Sequence, residues 1–413
     1  MTTSYKGYVD LSYKPGKGDL VADFFLEPNA KVPFEEAAQA VAAESSIGTW
    51  TELSTLTQDI LKRLRPKIFE LDEKKGTAKI AYPIDLFEAG NISQIMSSVA
   101  GNVFGMKEVD SLRLNDLIFP EKIVKEYKGP EFGIEGIRKI VGVKGRPLVG
   151  TIIKPKLGLN AKEHAKVAYN AWLGGLDIVK DDENLSSMAF NNFRERMNET
   201  FRLRDKCEGE TGEKKIYMPN VSSPFKEMVK RAQLVKEKGG EYAMVDVLTV
   251  GWGALQELRN ENLKLVFHAH RAGHAAFTRN PKHGISMLVI ARLCRMIGMD
   301  QLHIGAIFGK MEGGKEEVQE IDNALKQDWF GLKKTLSVCS GGLHPGHVPS
   351  LVKALGKDIV IQMGGGVHGH PQGTIAGAKA ARQALEAAVQ GIELKQYAKT
   401  HKELEAALEK WVA

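Results

Sequence analysis

LDIVKDDE (176–183) is a short, β-branched apolar run that ends in four charged residues. Seven further runs of this kind follow the same rhythm. They are LVGTIIKPK (148–156), KIYMPNV (215–221), YAMVDVLTV (242–250), LKLVFHAHR (263–271), LHIGAIFGK (302–310), LSVCSGG (336–342) and IVIQMGGG (359–366). Helical stretches lie between them, such as PFKEMVKRAQLVKEKGG (224–240) and AGAKAARQALEAAVQGI (376–392). Eight strand–helix units in ~265 residues predict a (β/α)8 TIM barrel in both count and length. A doubly wound open sheet is the alternative; it usually has fewer strands, and no G-x-G-x-x-G turn follows the first run.

The chain ahead of the barrel has a different pattern. DLVADFFLEP (19–28) alternates apolar and polar residues, as a half-buried strand does. Pro33 then opens the helical stretch FEEAAQAVAAES with proline at its first turn. KIFELDEKKGTAKIAYPI (67–84) reads as a hairpin around an EKKG turn, and ISQIMSSVAGNVFG (92–105) reads as a second helix. This order predicts a small α+β sandwich of the ferredoxin-like kind. The Gly/Pro-rich stretch KGPEFGIEG (128–136) marks its end, giving an N-terminal domain over 1–135 and the barrel over 136–413.

Composition narrows the class of function. The chain has 413 residues and a formal net charge of +6, which is mild at this length and does not argue for nucleic acid. A charge of this sign suits an anionic small substrate. Hydrophobic residues make up 43% and charged residues 26%, the balance of a folded globular protein. No apolar stretch approaches the ~18 residues of a membrane span, and MTTSYKGYVDLSYKP lacks the apolar core of a secretion signal. The three cysteines, Cys207, Cys294 and Cys339, have neither zinc nor disulfide spacing. The expectation is a reduced cytoplasmic protein.

Chemistry in a barrel sits at the C-terminal ends of its strands. Six of the eight runs here end in unusual residues: Lys154 and Lys156; Lys180, Asp181, Asp182 and Glu183; His268, His270 and Arg271; His303 and Lys310; Ser340, Gly341 and Gly342; Gly364, Gly365 and Gly366. Strand alternation puts Lys180 and Asp182 on one side, with Glu183 just past the strand end. Two carboxylates there form a hard-oxygen site suited to Mg2+; a lysine–carboxylate salt bridge is the plainer alternative. A lysine beside a metal repels it unless CO2 converts that lysine to an anionic carbamate. Lys154 and Lys156 share a face, and with Arg271, His303 and Lys310 they make the mouth cationic. A cationic ring beside a metal suits a phosphorylated, enolisable sugar. The glycine turns of the last two runs, each leading into a helix, form an anion nest for phosphate.

GGLDIVKDDEN (174–184), TIIKPKLGL (151–159), HAHRAGHAAF (268–277), GKMEGG (309–314), SGGLHPGH (340–347) and QMGGGVHGHP (362–371) resemble the motif series of the RuBisCO large subunit. ESSIGTW (44–50) and AGNVFGMK (100–107) extend the resemblance into the N-terminal domain. FTRNPKHGISM (277–287) and YAKTHKELEAALEKW (397–411) make it most similar to the archaeal-type form III enzyme.

The resemblance implies a ribulose-1,5-bisphosphate carboxylase/oxygenase, a carbon–carbon lyase that adds CO2, or competing O2, to the enediol of its substrate. Lys180 would carry the activating carbamate and, with Asp182 and Glu183, hold Mg2+. Lys154 would protonate the final carbanion, with Lys156 holding it. His270 would assist proton transfer, and Lys310 would close over the substrate on a mobile loop. Arg271, His303 and Ser340 would grip one phosphate. Gly341, Gly342, Gly364 and Gly365, with Thr49 and Trp50, would hold the other. Glu44, Thr49, Trp50 and Asn102 would reach the barrel mouth of a partner subunit in an antiparallel homodimer, compatible with larger rings of dimers. No small subunit and no membrane partner are implied. The form III likeness further implies a place in AMP and nucleoside salvage. Ile152 stands where plant-type enzymes have a threonine, and the tail, stopping at WVA, is expected to lack a long latch over the loop.

Overall fold

The computed structural model describes residues 5–307 and 314–412. The chain divides into two compact units, residues 1–128 with 273–296, and residues 129–272 with 297–413.

The first unit is built on β1 (Asp19–Pro28), β2 (Lys67–Asp72), β3 (Thr77–Pro83) and β4 (Val109–Ile118). They pair antiparallel in the order β4-β1-β3-β2. Helices Phe34–Glu44 and Ile92–Val99 complete a βαββαβ order, the ferredoxin-like arrangement expected. Leu20, Ala22, Phe24 and Leu26 of β1 are buried in alternation, so the period-two pattern is the packing pattern. Pro33 stands one residue before its helix, at the N-cap. The second helix is shorter than the sequence suggests. It stops at Val99; Gly101 takes a non-helical ψ of −106°, and Asn102 opens a separate 3-10 turn, Asn102–Gly105.

The remaining strands are β5 (Leu148–Ile152), β6 (Ile178–Lys180), β7 (Ile216–Met218), β8 (Tyr242–Asp246), β9 (Val266–His270), β10 (Gly284–Ile285), β11 (Gln301–Gly305), β12 (Leu336–Cys339) and β13 (Ile359–Gln362). β10 adds to the first unit alongside β4. The other eight form one parallel sheet in the order β7-β6-β5-β13-β12-β11-β9-β8. A parallel bridge between Asn220 and Met244 joins the two end strands and closes the barrel. Every one of the eight apolar runs thus contains a barrel strand. Most strands stop short of the ends of their runs: β8 ends at Asp246 although apolar residues follow, while β6 and β9 keep Lys180 and His270 within the ladder.

The barrel interior is filled by inward side chains. Leu148, Ile178, Ile216, Met218, Tyr242, Val266, Leu336, Val338 and Val360 form one buried cluster with Ile137 and Val141 of helix Gly133–Val141. Each such side chain contributes about 1.5–3 kcal/mol relative to exposure. Arg138 of that helix donates to the carbonyls of Arg146 (2.7 Å) and Lys357, just ahead of β5 and β13, so the helix plugs the N-terminal end of the barrel. The opposite end is left for loops. No helix among the described residues is long and apolar enough to cross a membrane, and all three cysteines are free and buried.

Candidate active site

β6 delivers Lys180 into the barrel. Lys180 is fully buried, and its Nζ donates to the Asp181 carbonyl (2.8 Å) and to Met244 Sδ (3.2 Å). Burial pushes the amine toward its uncharged form, against the pull of Glu183, Asp182 and Asp246. Asp182 accepts a 2.6 Å hydrogen bond from Lys154 Nζ and bonds from the Asn184 backbone and side chain. Burial raises its pKa, but the hydrogen bond and charge of Lys154 outweigh that and hold it low. Glu183 lies 4.0 Å from Lys156 Nζ and 3.7 Å from His270 Nε2. Lys154 and Lys156 follow β5 in its loop, and both meet this acidic pair.

Asp181 points the other way. Its carboxylate accepts from Tyr217 OH (2.6 Å), Arg196 Nε (3.2 Å) and the Asn220 amide (3.0 Å), with His164 Nε2 at 3.0 Å. Burial opposes its ionisation, but Arg196 and His164 hold it far below the usual carboxylate range. This clamp fixes the strand end whose neighbours, Lys180 and Asp182, face inward.

His270 ends β9. Its Nδ1 donates to Asp246 Oδ1 (2.9 Å), which leaves Nε2 toward Glu183. Asp246 also accepts from Asn220 Nδ2 (3.2 Å) and Ser222 Oγ (3.1 Å), and Asn220 Nδ2 reaches the Glu183 carbonyl at 3.1 Å. Asn220 therefore ties the acidic loop to the histidine across the barrel seam. His303 Nδ1 lies 2.6 Å from Ser340 Oγ, and His268 Nδ1 bonds Gln301 Oε1 at 2.8 Å. Burial, reinforced by His268 and His270, holds His303 well below its ordinary pKa. It is neutral, so it adds no charge to the mouth. Arg271 is buried, which lowers its pKa to about 10, and it stays a cation at neutral pH.

After β12 and β13 come the glycine turns. Gly341 and Gly342 adopt left-handed φ of 109° and 70°, a conformation that glycine takes without strain. Gly364 borders Lys154: a Cβ there would stand 3.2 Å from Lys154 Cε. Gly365 opens the short turn Gly365–His368.

In the first unit, Glu44 ends its helix and accepts from Tyr5 OH at 2.8 Å. Thr49 and Trp50 follow it, and Trp50 is 67% exposed. Asn102 is exposed on its turn. Lys310 lies outside the described residues. The structure thus draws Lys154, Lys156, Asp182, Glu183 and His270 together by contact, with Lys180 close enough to feel the charge of Glu183 and Asp182. Asp246, Asn220 and Asp181 were missed as supporting residues. Asp246 had a signal, being the lone acid where YAMVD meets its loop.

Among the described residues no three His, Cys, Asp or Glu side chains are placed to hold a metal ion. Asp182 and Glu183 supply hard oxygens for Mg2+ but fall one anionic donor short. A carbamate on Lys180 would complete the set, so the donor chemistry fits Mg2+ once that lysine is modified.

Fold and mouth together define a class: a ferredoxin-like domain followed by a (β/α)8 barrel, with an acid–lysine cluster facing glycine turns. Two family models match it in order. The ribulose bisphosphate carboxylase large chain N-terminal domain matches residues 7–123, and the catalytic domain of the same chain matches residues 133–411. The chain belongs to the ribulose bisphosphate carboxylase large-chain family. It is 52% identical to the ribulose bisphosphate carboxylase of Methanosarcina mazei, covering 98% of this chain and 99% of that one. The octameric enzyme of Pyrococcus horikoshii, solved with sulfate, superposes with a TM-score of 0.95 at 49% identity, over 99% of this chain and 97% of that one. The dimeric archaeal enzyme of Hyperthermus butylicus superposes with a TM-score of 0.92 at 44% identity, over 99% of each.

Proposed function

We propose that this chain is a ribulose-1,5-bisphosphate carboxylase/oxygenase activated by CO2 and Mg2+. The observation that carries the reading is Lys180: a fully buried amine beside Asp182 and Glu183, in a donor set one oxygen short. A neutral amine attacks CO2; the C–N bond forms, the nitrogen loses a proton, and an anionic carbamate remains. Mg2+ bound by that carbamate, Asp182 and Glu183 would polarise the substrate carbonyl and acidify the neighbouring C–H.

The chain's own groups then have these tasks. The Lys180 carbamate oxygen takes the C3 proton of ribulose 1,5-bisphosphate, giving the enediol. CO2 adds at C2, or O2 in its place. Water adds at C3 and the C2–C3 bond breaks; the CO2 adduct gives two molecules of 3-phosphoglycerate, and the O2 adduct gives one 3-phosphoglycerate and one 2-phosphoglycolate. Lys154 donates the proton to the final C2 carbanion. It sits on Asp182 here, and a cation held by Asp182 and Glu183 would compete with that contact. Lys156 holds Lys154 in place. His270, oriented by Asp246, contacts the sugar hydroxyls and assists proton transfer. Lys310 closes over the new carboxylate. Arg271, His303 and Ser340 take one phosphate; Gly341, Gly342, Gly364 and Gly365, with Thr49 and Trp50, take the other.

The functional unit in this reading is an antiparallel homodimer in which Glu44, Thr49, Trp50 and Asn102 serve the partner's barrel. The dimeric and octameric states of the solved relatives support it. The archaeal-type likeness supports a role in AMP and nucleoside salvage.

The test is a radiolabel assay. Protein incubated anaerobically with Mg2+ and bicarbonate receives ribulose 1,5-bisphosphate and 14CO2. Labelled 3-phosphoglycerate is expected, and none from Lys180→Ala. A folded dimer that binds the bisphosphate yet makes no label would overturn the carboxylase reading in favour of enolisation alone.

A further inference from the structure

The helix Lys402–Trp411 takes no part in the chemistry above, yet it touches both glycine turns. The Trp411 indole stacks on His344, in the loop after β12, with centroids 5.8 Å apart and planes at 19°. The same indole meets His370, in the loop after β13, edge-on at 6.5 Å. Lys410 Nζ donates to the Gly369 carbonyl at 2.6 Å. At the helix's other end, His370 Nε2 donates to the Glu403 carbonyl at 2.9 Å.

The two loops also press on each other. A Cβ at Gly366 would lie 2.2 Å from the Leu343 carbonyl oxygen and 2.7 Å from His344 Cα. A Cβ at Gly346 would lie 2.5 Å from Val412 Cγ2. The two loops are therefore in backbone-level contact at Gly366, and the end of the helix closes on them through the side chains of Lys410, Trp411 and Val412. This matters because a phosphate cradle made of backbone N–H groups has no side-chain rotamer with which to adjust. Its aim is set by what lies behind it.

We propose that helix Lys402–Trp411 braces the two glycine loops at their ligand-binding spacing, and that Trp411 is a positioning residue for the bisphosphate. The inference rests on reading those loops as a phosphate site. The ring contacts of Trp411 are with His344 and His370, in the loops and not in the acid–lysine cluster, so its loss should weaken binding and leave turnover of bound substrate alone.

The experiment compares wild type, Trp411→Ala, Trp411→Phe and Lys410→Ala as full-length protein. Ribulose 1,5-bisphosphate binding is measured by calorimetry without bicarbonate, and kcat and KM are measured separately in the activated enzyme. For Trp411→Ala, Kd and KM should each rise about tenfold with kcat within about twofold, since displaced binding groups lose affinity steeply with small shifts. Trp411→Phe, which keeps a ring for His344, should recover to within about threefold, and Lys410→Ala should raise Kd about twofold to threefold. Should Trp411→Ala fail to fold, Trp411→Leu is read in the same way, since it keeps bulk and removes the stack. Wild-type affinity in the Ala or Leu variant overturns the brace. So does a fall in kcat and melting temperature with KM unchanged. A wild-type protein that does not bind the bisphosphate overturns the carboxylase reading itself, and the brace as a phosphate device with it.

Discussion

The two sides of the barrel mouth are built on opposite principles. On the β5–β6–β8–β9 side the polar groups are side chains, most of them held by a partner: Lys154 on Asp182, His270 on Asp246, Asn220 on Asp246 and the Glu183 carbonyl. Behind them the Asp181–Arg196 pair is wholly buried. On the β12–β13 side the groups are backbone and glycine, with a neutral His303 against Ser340. Charge is concentrated on the first side, where the proposed reading places a cation and the reacting carbon. It is sparser on the glycine side, where the same reading places a phosphate on backbone N–H groups. The first side can be changed by chemistry at one residue; the second can be changed only by moving the chain.

The sharpest way to break that contrast is Lys180→Ala. Turnover should fall by ~10³-fold or more, because the third oxygen donor is lost. Bisphosphate affinity without bicarbonate should stay within about threefold, since the phosphate side is untouched. Calorimetry beside the radiolabel assay reads both. Equal loss of the two would mean the sides are not separable.

Next in size is the clamp behind the acids. Arg196→Met leaves Asp181 buried without its cation, which costs about 3–5 kcal/mol of stability. Urea unfolding reads this as a lower midpoint. A midpoint within error of wild type would show that Tyr217, His164 and the Asn220 amide suffice to hold the charge.

Asp246→Asn is subtler. It keeps the size and removes the anion that fixes the tautomer of His270, so kcat should fall about 10- to 100-fold with KM within about twofold. A change in KM alone would move Asp246 to the substrate-binding side of the comparison.

These supporting residues also mark the limit of what the sequence discloses. The eight strands were legible because each is a β-branched run between helices, and β1 because its burial alternates residue by residue. Lys154, Lys180, Asp182, Glu183 and His270 stood out as polar residues at the ends of apolar runs. Asp181 stood in the same quartet, but its partners did not. Arg196 is 15 residues away on a helix, and Tyr217 is 36 away on the next strand. Only barrel closure brings them together. Asn220 forms the seam bridge itself, and nothing in KIYMPNV says that its amide will face two carboxylate-bearing loops at once. The extent of each strand was overread for a similar reason. Apolar character continues into the loops, while the ladder stops at the first residue that must turn.

The smallest expected effect concerns the histidines inside the barrel, between the two sides. Burial, with help from Lys180, lowers the His268 pKa to about 3, whereas an unfolded histidine titrates near ~6.5. The folded state therefore holds the neutral ring, and the unfolded chain takes up the proton first as pH falls. The stabilising contribution is complete above about pH 6.5 and is lost as pH drops from there toward the folded value, at up to ~1.4 kcal/mol per pH unit. His303, held low by the same burial, acts in the same direction. His268→Asn keeps a donor for Gln301 and removes the titration, so its urea midpoint should fall less than that of wild type between pH 7 and pH 5. Identical slopes would mean that the ring is reached by water at low pH, and that the interior between the two sides is less dry than its burial indicates.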